Sequence, residues 1–461
     1  MPLKDRCGIF GISSQREAAK EAYLGLCALQ HRGQESAGIC ARGDGSLRLH
    51  KDNGLVADVF SESILDSLPG NAAIGHIKCK CSAQQGHESE EALPFIVNGR
   101  FGQLAACYNG TFFNADRLRN KLMAAGYTFC GKSDAEVLLA LINTAMATNL
   151  EDAVEEALQL IEGAYSLLIL SKTHLIGAKD PLGMKPLAVG QLGENAMLGE
   201  NSILFASESS AFDLLGAKFL HELEAGEMLI QDPAGTQSRF VSNRRSKRPC
   251  VFELVHFARP DSFMFERTVM AVRREWGRLL ALRHPVSGDV VVPVPDSGVR
   301  AALGYSEQSG IQLDFGIVRS HYAGRKFVEP KQGTRNFGEK MKLNPVREML
   351  KGRRIVLVDD CIASGATCKK LVCAVRAAGA EEVHLRICSP PIAHNCFYGV
   401  CGPTREHLIA SQKSIDEIRD FIGADTLGYL DIEDMQSAIE DNGGKGACYA
   451  CFNGDCPIPM E

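Results

Sequence analysis

No run of about 18 apolar residues occurs in the 461-residue chain, which excludes an ordinary membrane-spanning helix. The opening stretch Met1-Pro2-Leu3-Lys4-Asp5-Arg6 lacks the apolar core of a secretory signal, so a cytoplasmic location is expected. Excess positive charge is missing too: 50 Lys and Arg stand against 56 Asp and Glu, a net charge of −6. Neither a nucleic-acid nor a membrane partner is therefore expected, and a polyanionic ligand must meet a local cationic site or a metal. There is no internal repeat, low-complexity block or helix-turn-helix pattern. Cysteine, by contrast, is plentiful at 17 residues, and 45% hydrophobic residues suffice for buried cores in about two to three domains. In a reducing compartment these thiols would not form a disulfide framework; catalysis, metal or cluster ligation and core filling remain as uses.

Up to about Asp232, short β-like runs such as Ala72 to Ile77 and Tyr165 to Ile169 mix with helical stretches, Glu17 to Leu29 and Asp134 to Thr148. This alternation predicts an α+β layered structure. The polar, basic stretch Gln237 to Arg248 reads as a crossing between domains. Beyond it, apolar strands alternate with helices: Val290 to Val294, Ile355 to Val358 and Val383 to Ile387, with helices near Leu279 and over Lys369 to Ala378. That grammar belongs to a parallel sheet covered on both faces.

Ile355-Val356-Leu357-Val358 ends abruptly in Asp359-Asp360, followed by Cys361-Ile362-Ala363-Ser364-Gly365-Ala366-Thr367 and a helix. Small residues let backbone N–H groups converge on a phosphate at the positive end of the helix. Two adjacent carboxylates cannot serve that anion; they suit ribose hydroxyls or Mg2+. The loop resembles the signature loop of type I phosphoribosyltransferases. A second strand end, Pro295-Asp296-Ser297-Gly298, should border the same crevice, with Ser297 completing the metal shell of Asp359 and Asp360. The basic segment Tyr322 to Arg335 is long enough for a lid over pyrophosphate, and the forked donors of Arg325 and Arg335 suit phosphate oxygens.

Near the other end, Cys7-Gly8-Ile9-Phe10-Gly11-Ile12 precedes His31-Arg32-Gly33-Gln34-Glu35-Ser36-Ala37-Gly38. Removal of residues 1–6 as a propeptide would give Cys7 a free α-amine of pKa about 7.7–8.0, able to activate its own thiol. Together with Gly75-His76, Asn109-Gly110, Ser133-Asp134, Asp180-Pro181, Ala206-Ser207-Glu208-Ser209 and Phe257-Ala258-Arg259-Pro260-Asp261-Ser262, the chain resembles the amidophosphoribosyltransferase family over almost its full length. The resemblance implies an N-terminal-nucleophile (class II glutaminase) αββα domain over 7–235. It further implies an inter-domain crossing over 236–260, a type I phosphoribosyltransferase parallel-sheet domain over 261–430 and a cluster-binding tail over 431–461.

By that resemblance Cys7 attacks the glutamine side-chain amide, Asn109 and Gly110 donate to the oxyanion, and Lys78 and Asp134 hold the amino-acid end. Ammonia then crosses a closed interior path to C1 of phosphoribosyl pyrophosphate (PRPP), which is bound by Asp359, Asp360, Ala363, Ser364, Gly365, Ala366, Thr367, Arg325 and Arg335. The expected products are 5-phosphoribosylamine, pyrophosphate and glutamate, in the first committed step of purine synthesis. Purine nucleotides as feedback ligands and a homotetramer are implied as well.

Cys448-Tyr449-Ala450-Cys451 supplies two metal ligands, and Cys250 and Cys396 align with the other two ligands of the family's iron-sulfur branch. The implied cofactor is a 4Fe-4S cluster; zinc on the same thiolates is the chemical alternative. Several positions depart from the family. Lys78-Cys79-Lys80-Cys81 stands where Arg-Tyr and small residues are usual, Leu93 replaces Gln, and Tyr108 replaces His. Cys361, Ser364 and Ala366 replace Ser, Arg and Thr in the loop, and Cys401 replaces Asp. Lys78 keeps the charge that would meet the glutamine carboxylate but loses the fork, so weakened glutamine use, with free ammonia serving instead, is expected. A non-catalytic PRPP-binding regulator and a different amidotransferase are the competing classes; the Val356 to Thr367 loop has no use in the latter.

Overall fold

The computed structural model describes residues 7–14, 17–79, 92–192, 202–241, 247–319, 343–399, 404–439 and 446–458. Two antiparallel sheets face each other in the first half. One has seven strands in the order Ala217–Glu222, Ala188–Leu192, Ile203–Ala206, Cys7–Ser13, Ala72–Lys78, Ser36–Gly43 and Ser46–Asn53. The other runs Gly235–Phe240, Glu227–Asp232, Leu175–Lys179, Gly163–Ser171, Gly102–Phe112 and Phe95–Gly99.

Alternation along the central strand explains the layering. Ile9 joins the core between the sheets with Leu168 and Leu175, while Phe10 and Ile12 point outward to pack beneath the helix Ala18–Ala28 and Phe212. The helices Asp134–Thr144 and Leu150–Leu160 cover the second sheet, which gives the expected αββα sandwich.

The second half holds a four-stranded parallel sheet, Val290–Pro293, Arg354–Asp359, Glu382–Ile387 and Thr426–Tyr429. The strands Val290–Pro293 and Arg354–Asp359 are buried on both faces, as their continuous apolar runs require, and Glu382–Ile387 is buried as well although it alternates His384 and Arg386 with apolar residues.

Two expectations shift. The helix from Asp134 stops at Thr144 rather than Thr148, where the Thr144 hydroxyl donates back to Ala140 and Leu141 carbonyls and competes with the ladder. Gln237 to Phe240 do not begin a crossing: they lie in the edge strand Gly235–Phe240, paired to Glu227–Asp232. Among the described residues no helix is long and apolar enough to cross a membrane.

Candidate active site

Cys7 opens its strand, buried, directly opposite Lys78, and Lys78 lies opposite Ser36 on the next strand. Side chains two apart share a face, so Cys7, Ser36, His76 and Lys78 all face the second sheet. There Asn109, opposite Ser166, is fully buried. Both amide atoms of Asn109 and the hydroxyls of Ser36 and Ser166 have no hydrogen-bond partner among the described residues. Buried orphans of this kind cost about 1–3 kcal/mol each, so the cluster reads as a site built for a polar guest. Burial, then the charges of Lys78 and Lys51, lower the His76 pKa to about 3, leaving a neutral ring.

Next to Asn109, Gly110 has φ +133°, and a Cβ there would fall 1.9 Å from the Ala164 carbonyl oxygen, so only glycine fits. Asp134 begins its helix behind the Ser133 cap, and the Tyr108 hydroxyl donates to its carboxylate at 3.4 Å. Tyr108, one of the departures, thus reaches the very group expected to hold the substrate ammonium. Leu93 packs in the inter-sheet core, while Lys51 donates to the flanking Ala92 and Pro94 carbonyls.

In the second half, the strand Arg354–Asp359 delivers Asp359 and Asp360 to the sheet's carboxyl edge, both buried. Gly365, at φ +73°, precedes the helix Ala366–Ala377, while Ala363 is tied through its carbonyl to Ile409 N–H. The backbone turns inward on the pair: Asp360 N–H donates to Asp359 at 2.9 Å and Cys361 N–H to Asp360 at 2.6 Å. Ser297 borders the same crevice. Its neighbour Gly298 lies so close to the Asp359 strand that a Cβ would meet the Val358 carbonyl oxygen at 2.4 Å.

Burial and the neighbouring Asp360 charge push the Asp359 carboxyl well up. Burial also disfavours the Asp360 carboxylate, but His256 and Arg273 outweigh it and hold that group below its usual value. Two carboxylates of such unequal character invite a cation. That arrangement fits Mg2+ with Ser297 nearby. Arg325, Arg335, Cys81, Cys401 and residues 1–6 lie outside the described residues.

A glutamine amidotransferase domain model matches residues 83–214, and a phosphoribosyl transferase domain model matches residues 274–388. The amidophosphoribosyltransferase of Bacillus subtilis (strain 168) is 42% identical over 461 residues, covering 99% of this chain and 95% of that protein. The chloroplastic amidophosphoribosyltransferase of Vigna aconitifolia is 42% identical over 459 residues, covering 99% and 92%. A solved structure of the B. subtilis glutamine PRPP amidotransferase, complexed with ADP and GMP, superposes with a TM-score of 0.91 at 41% identity, covering 99% of this chain and 98% of that one. The chain belongs to the amidophosphoribosyltransferase family.

Within this member of the family the four candidate ligand cysteines, Cys250, Cys396, Cys448 and Cys451, come from three places in the chain. Cys448 pairs with Cys250 as an isolated bridge, Cys448 N–H donating to Pro249, while the Cys451 carbonyl accepts from Ala393 and His394 next to Cys396. Burial first, then the other thiols, raises the pKa of Cys250 and Cys451 well up and that of Cys448 to about 12. Four thiols gathered in this way could hold a metal cluster or a zinc ion.

Missed from sequence was a buried ion network at the seam. Arg32, fully buried, donates to the Cys7 carbonyl at 3.3 Å, to Glu208 at 2.6 Å and to both Glu253 oxygens at 2.9 Å. Glu208 also accepts from Ser262 and from Arg259 N–H. Burial opposes its ionisation, but His31 and Arg32 hold its pKa far down. Glu253 opens a five-residue π-helical turn, Glu253–Phe257, whose His256 donates to or accepts from Asp360 at 2.5 Å. A lone glutamate inside Val251-Phe252-Glu253-Leu254-Val255 was the available signal.

Proposed function

We propose that this protein transfers ammonia from glutamine to PRPP, yielding 5-phosphoribosylamine, pyrophosphate and glutamate, the first committed step of purine synthesis. One observation carries the reading: a Cys7 site lined by orphaned polar groups and an Asp359–Asp360 crevice occur in one chain, linked through Arg32, Glu253, His256 and Asp360. Cys7 attacks the amide carbon after its α-amine, freed by loss of residues 1–6, takes the thiol proton. Asn109 and Gly110 donate to the oxyanion, and Lys78 and Asp134 hold the carboxylate and ammonium of glutamine. Exclusion of water matters, because escaping ammonia becomes unreactive ammonium.

At the other site Asp359 and Asp360 accept from the ribose hydroxyls, the backbone from Ala363 to Thr367 cradles the 5-phosphate, and Arg325 and Arg335 cover the pyrophosphate. Mg2+ beside Ser297, Asp359 and Asp360 would neutralise pyrophosphate charge. Cys250, Cys396, Cys448 and Cys451 would hold a 4Fe-4S cluster pinning the tail to both halves. A glutaminase domain from residue 7 to the end of the edge strand at Phe240, a phosphoribosyltransferase domain over 261–430 and a tail over 431–461 complete the reading. Purine nucleotide feedback, a homotetramer and a cytoplasmic location accompany it.

Lys78 without a fork and Tyr108 on Asp134 favour a second reading, in which glutamine is used poorly and free ammonia substitutes. Steady-state assays with glutamine and with ammonium salts decide between the two. Cys7→Ala should abolish glutamine-driven turnover and keep the ammonia-driven rate; loss of both overturns the proposal.

A further inference from the structure

The crevice that receives the pentose sets a nitrogen and a sulfur donor beside one of the carboxylates proposed for the ribose. His256 Nδ1, a carboxylate oxygen of Asp360 and the Cys361 sulfur all lie within 4.8 Å of one another. The two ring and carboxylate atoms stand 2.5 Å apart, and Cys361 is held in place by its own N–H on the other Asp360 oxygen at 2.6 Å. We propose that His256, Asp360 and Cys361 form a binding site for a thiophilic divalent cation of the zinc type, whose occupation closes the pentose end of the crevice. The closure rests on the function proposed above; the cation site does not.

The chemistry of the donors sets the class of ion. One imidazole nitrogen, one carboxylate oxygen and one thiolate suit a borderline-soft metal, whereas Mg2+ prefers oxygen alone. Tetrahedral bonds of about 2.0–2.3 Å put ligand atoms roughly 3.3–3.8 Å apart. The group is therefore close to size: the His256–Asp360 pair must open by about 1 Å, which follows once the proton shared between them leaves. Binding would release that proton and the thiol proton, so that the carboxylate, already ionised, a new thiolate and a neutral ring meet one dication.

Geometry around the trio permits this. His256 sits on the Glu253–Phe257 turn and its side chain is 35% exposed, so the imidazole is not sealed from solvent. Arg273 stands near Asp360 but spends its donors on the Leu254 and Ala258 carbonyls, so it weakens the field without occupying a coordination position. Since Asp360 cannot serve the cation and the ribose together, a cell rich in free zinc-type ions would throttle use of the sugar donor at its point of entry.

The test uses the full-length, anaerobically purified protein with its cysteine tail loaded as isolated, and Co2+ as probe. Titration should show one more bound equivalent in the intact protein than in Cys361→Ser or His256→Gln, and the difference spectrum should carry a thiolate-to-cobalt charge-transfer band that Zn2+ bleaches. Affinity at this equivalent should fall at least about tenfold in each variant. Superimposable titrations of intact protein and both variants, with the variants folded by circular dichroism, overturn the site. Rising Mg–PRPP should then remove the band from the intact protein; a band that persists while calorimetry shows PRPP bound overturns the closure. Failure of PRPP to bind metal-free protein would instead sink the proposed function and leave the cobalt difference intact.

Discussion

Asn109→Ala separates a residue kept for chemistry from one kept for stability. Asn109 is wholly buried, yet neither amide atom has a partner among the described residues. Retaining such an orphan costs about 1–3 kcal/mol, a penalty that the substitution removes. Deleting the amide opens a small void costing on the order of 1 kcal/mol. The net change should lie between zero and about 2 kcal/mol in favour of the variant, equivalent to a melting temperature unchanged or raised by roughly 0–8 °C in a domain of this size. Activity should move the other way. Loss of one donor to a developing oxyanion lowers turnover about 100- to 1000-fold, or 2.7–4 kcal/mol. Calorimetric melts would be paired with assays of glutamine hydrolysis and of ammonia-driven synthesis, which should persist. A clear drop in melting temperature, with both activities lost together, would refute the argument by making Asn109 an ordinary structural residue.

Lys78→Arg should restore forked recognition of the glutamine carboxylate; at about 1.5–3 kcal/mol for a charge-assisted bond, the glutamine KM should fall roughly tenfold to a hundredfold in steady-state assays. Glu208 is held low by His31 and Arg32 against burial. With a folded pKa below the unfolded value of about 4.3, its stabilisation is fully present above that value and is lost as pH falls through and below it. Urea melts of Glu208→Gln should therefore show a weaker fall in stability on acidification than the parent, starting from a lower value near neutrality. Cys451→Ser should lower iron and labile sulfide per chain and destabilise the tail; finding one zinc and no sulfide in the parent would refute the cluster.

What was legible in the sequence was local. The strand Arg354–Asp359, its acidic end and the small-residue turn are consecutive, so strand, loop and helix announce themselves within one stretch. The Cys7, Asn109–Gly110 and Asp134 positions were proposed from family motifs, and the sheet sets Cys7 opposite Lys78. Illegible were interactions between residues far apart in the chain. Arg32 meets Glu253 across 221 positions, and His256 meets Asp360 across 104, so no periodicity reports them. The early stop at Thr144 escaped for another reason: a hydroxyl folded back on its own helix competes with a favourable apolar pattern.

The Glu253–Phe257 turn also bears on how the protein can be divided. Cutting before it would leave the upstream fragment with Arg32 and Lys185 in a dry interior from which one negative charge had been withdrawn. Expressed alone, that fragment should be poorly soluble and slow to mature, and it should recover when the downstream piece is supplied in the same cell. Keeping both halves in one chain would then serve folding as well as traffic between two sites.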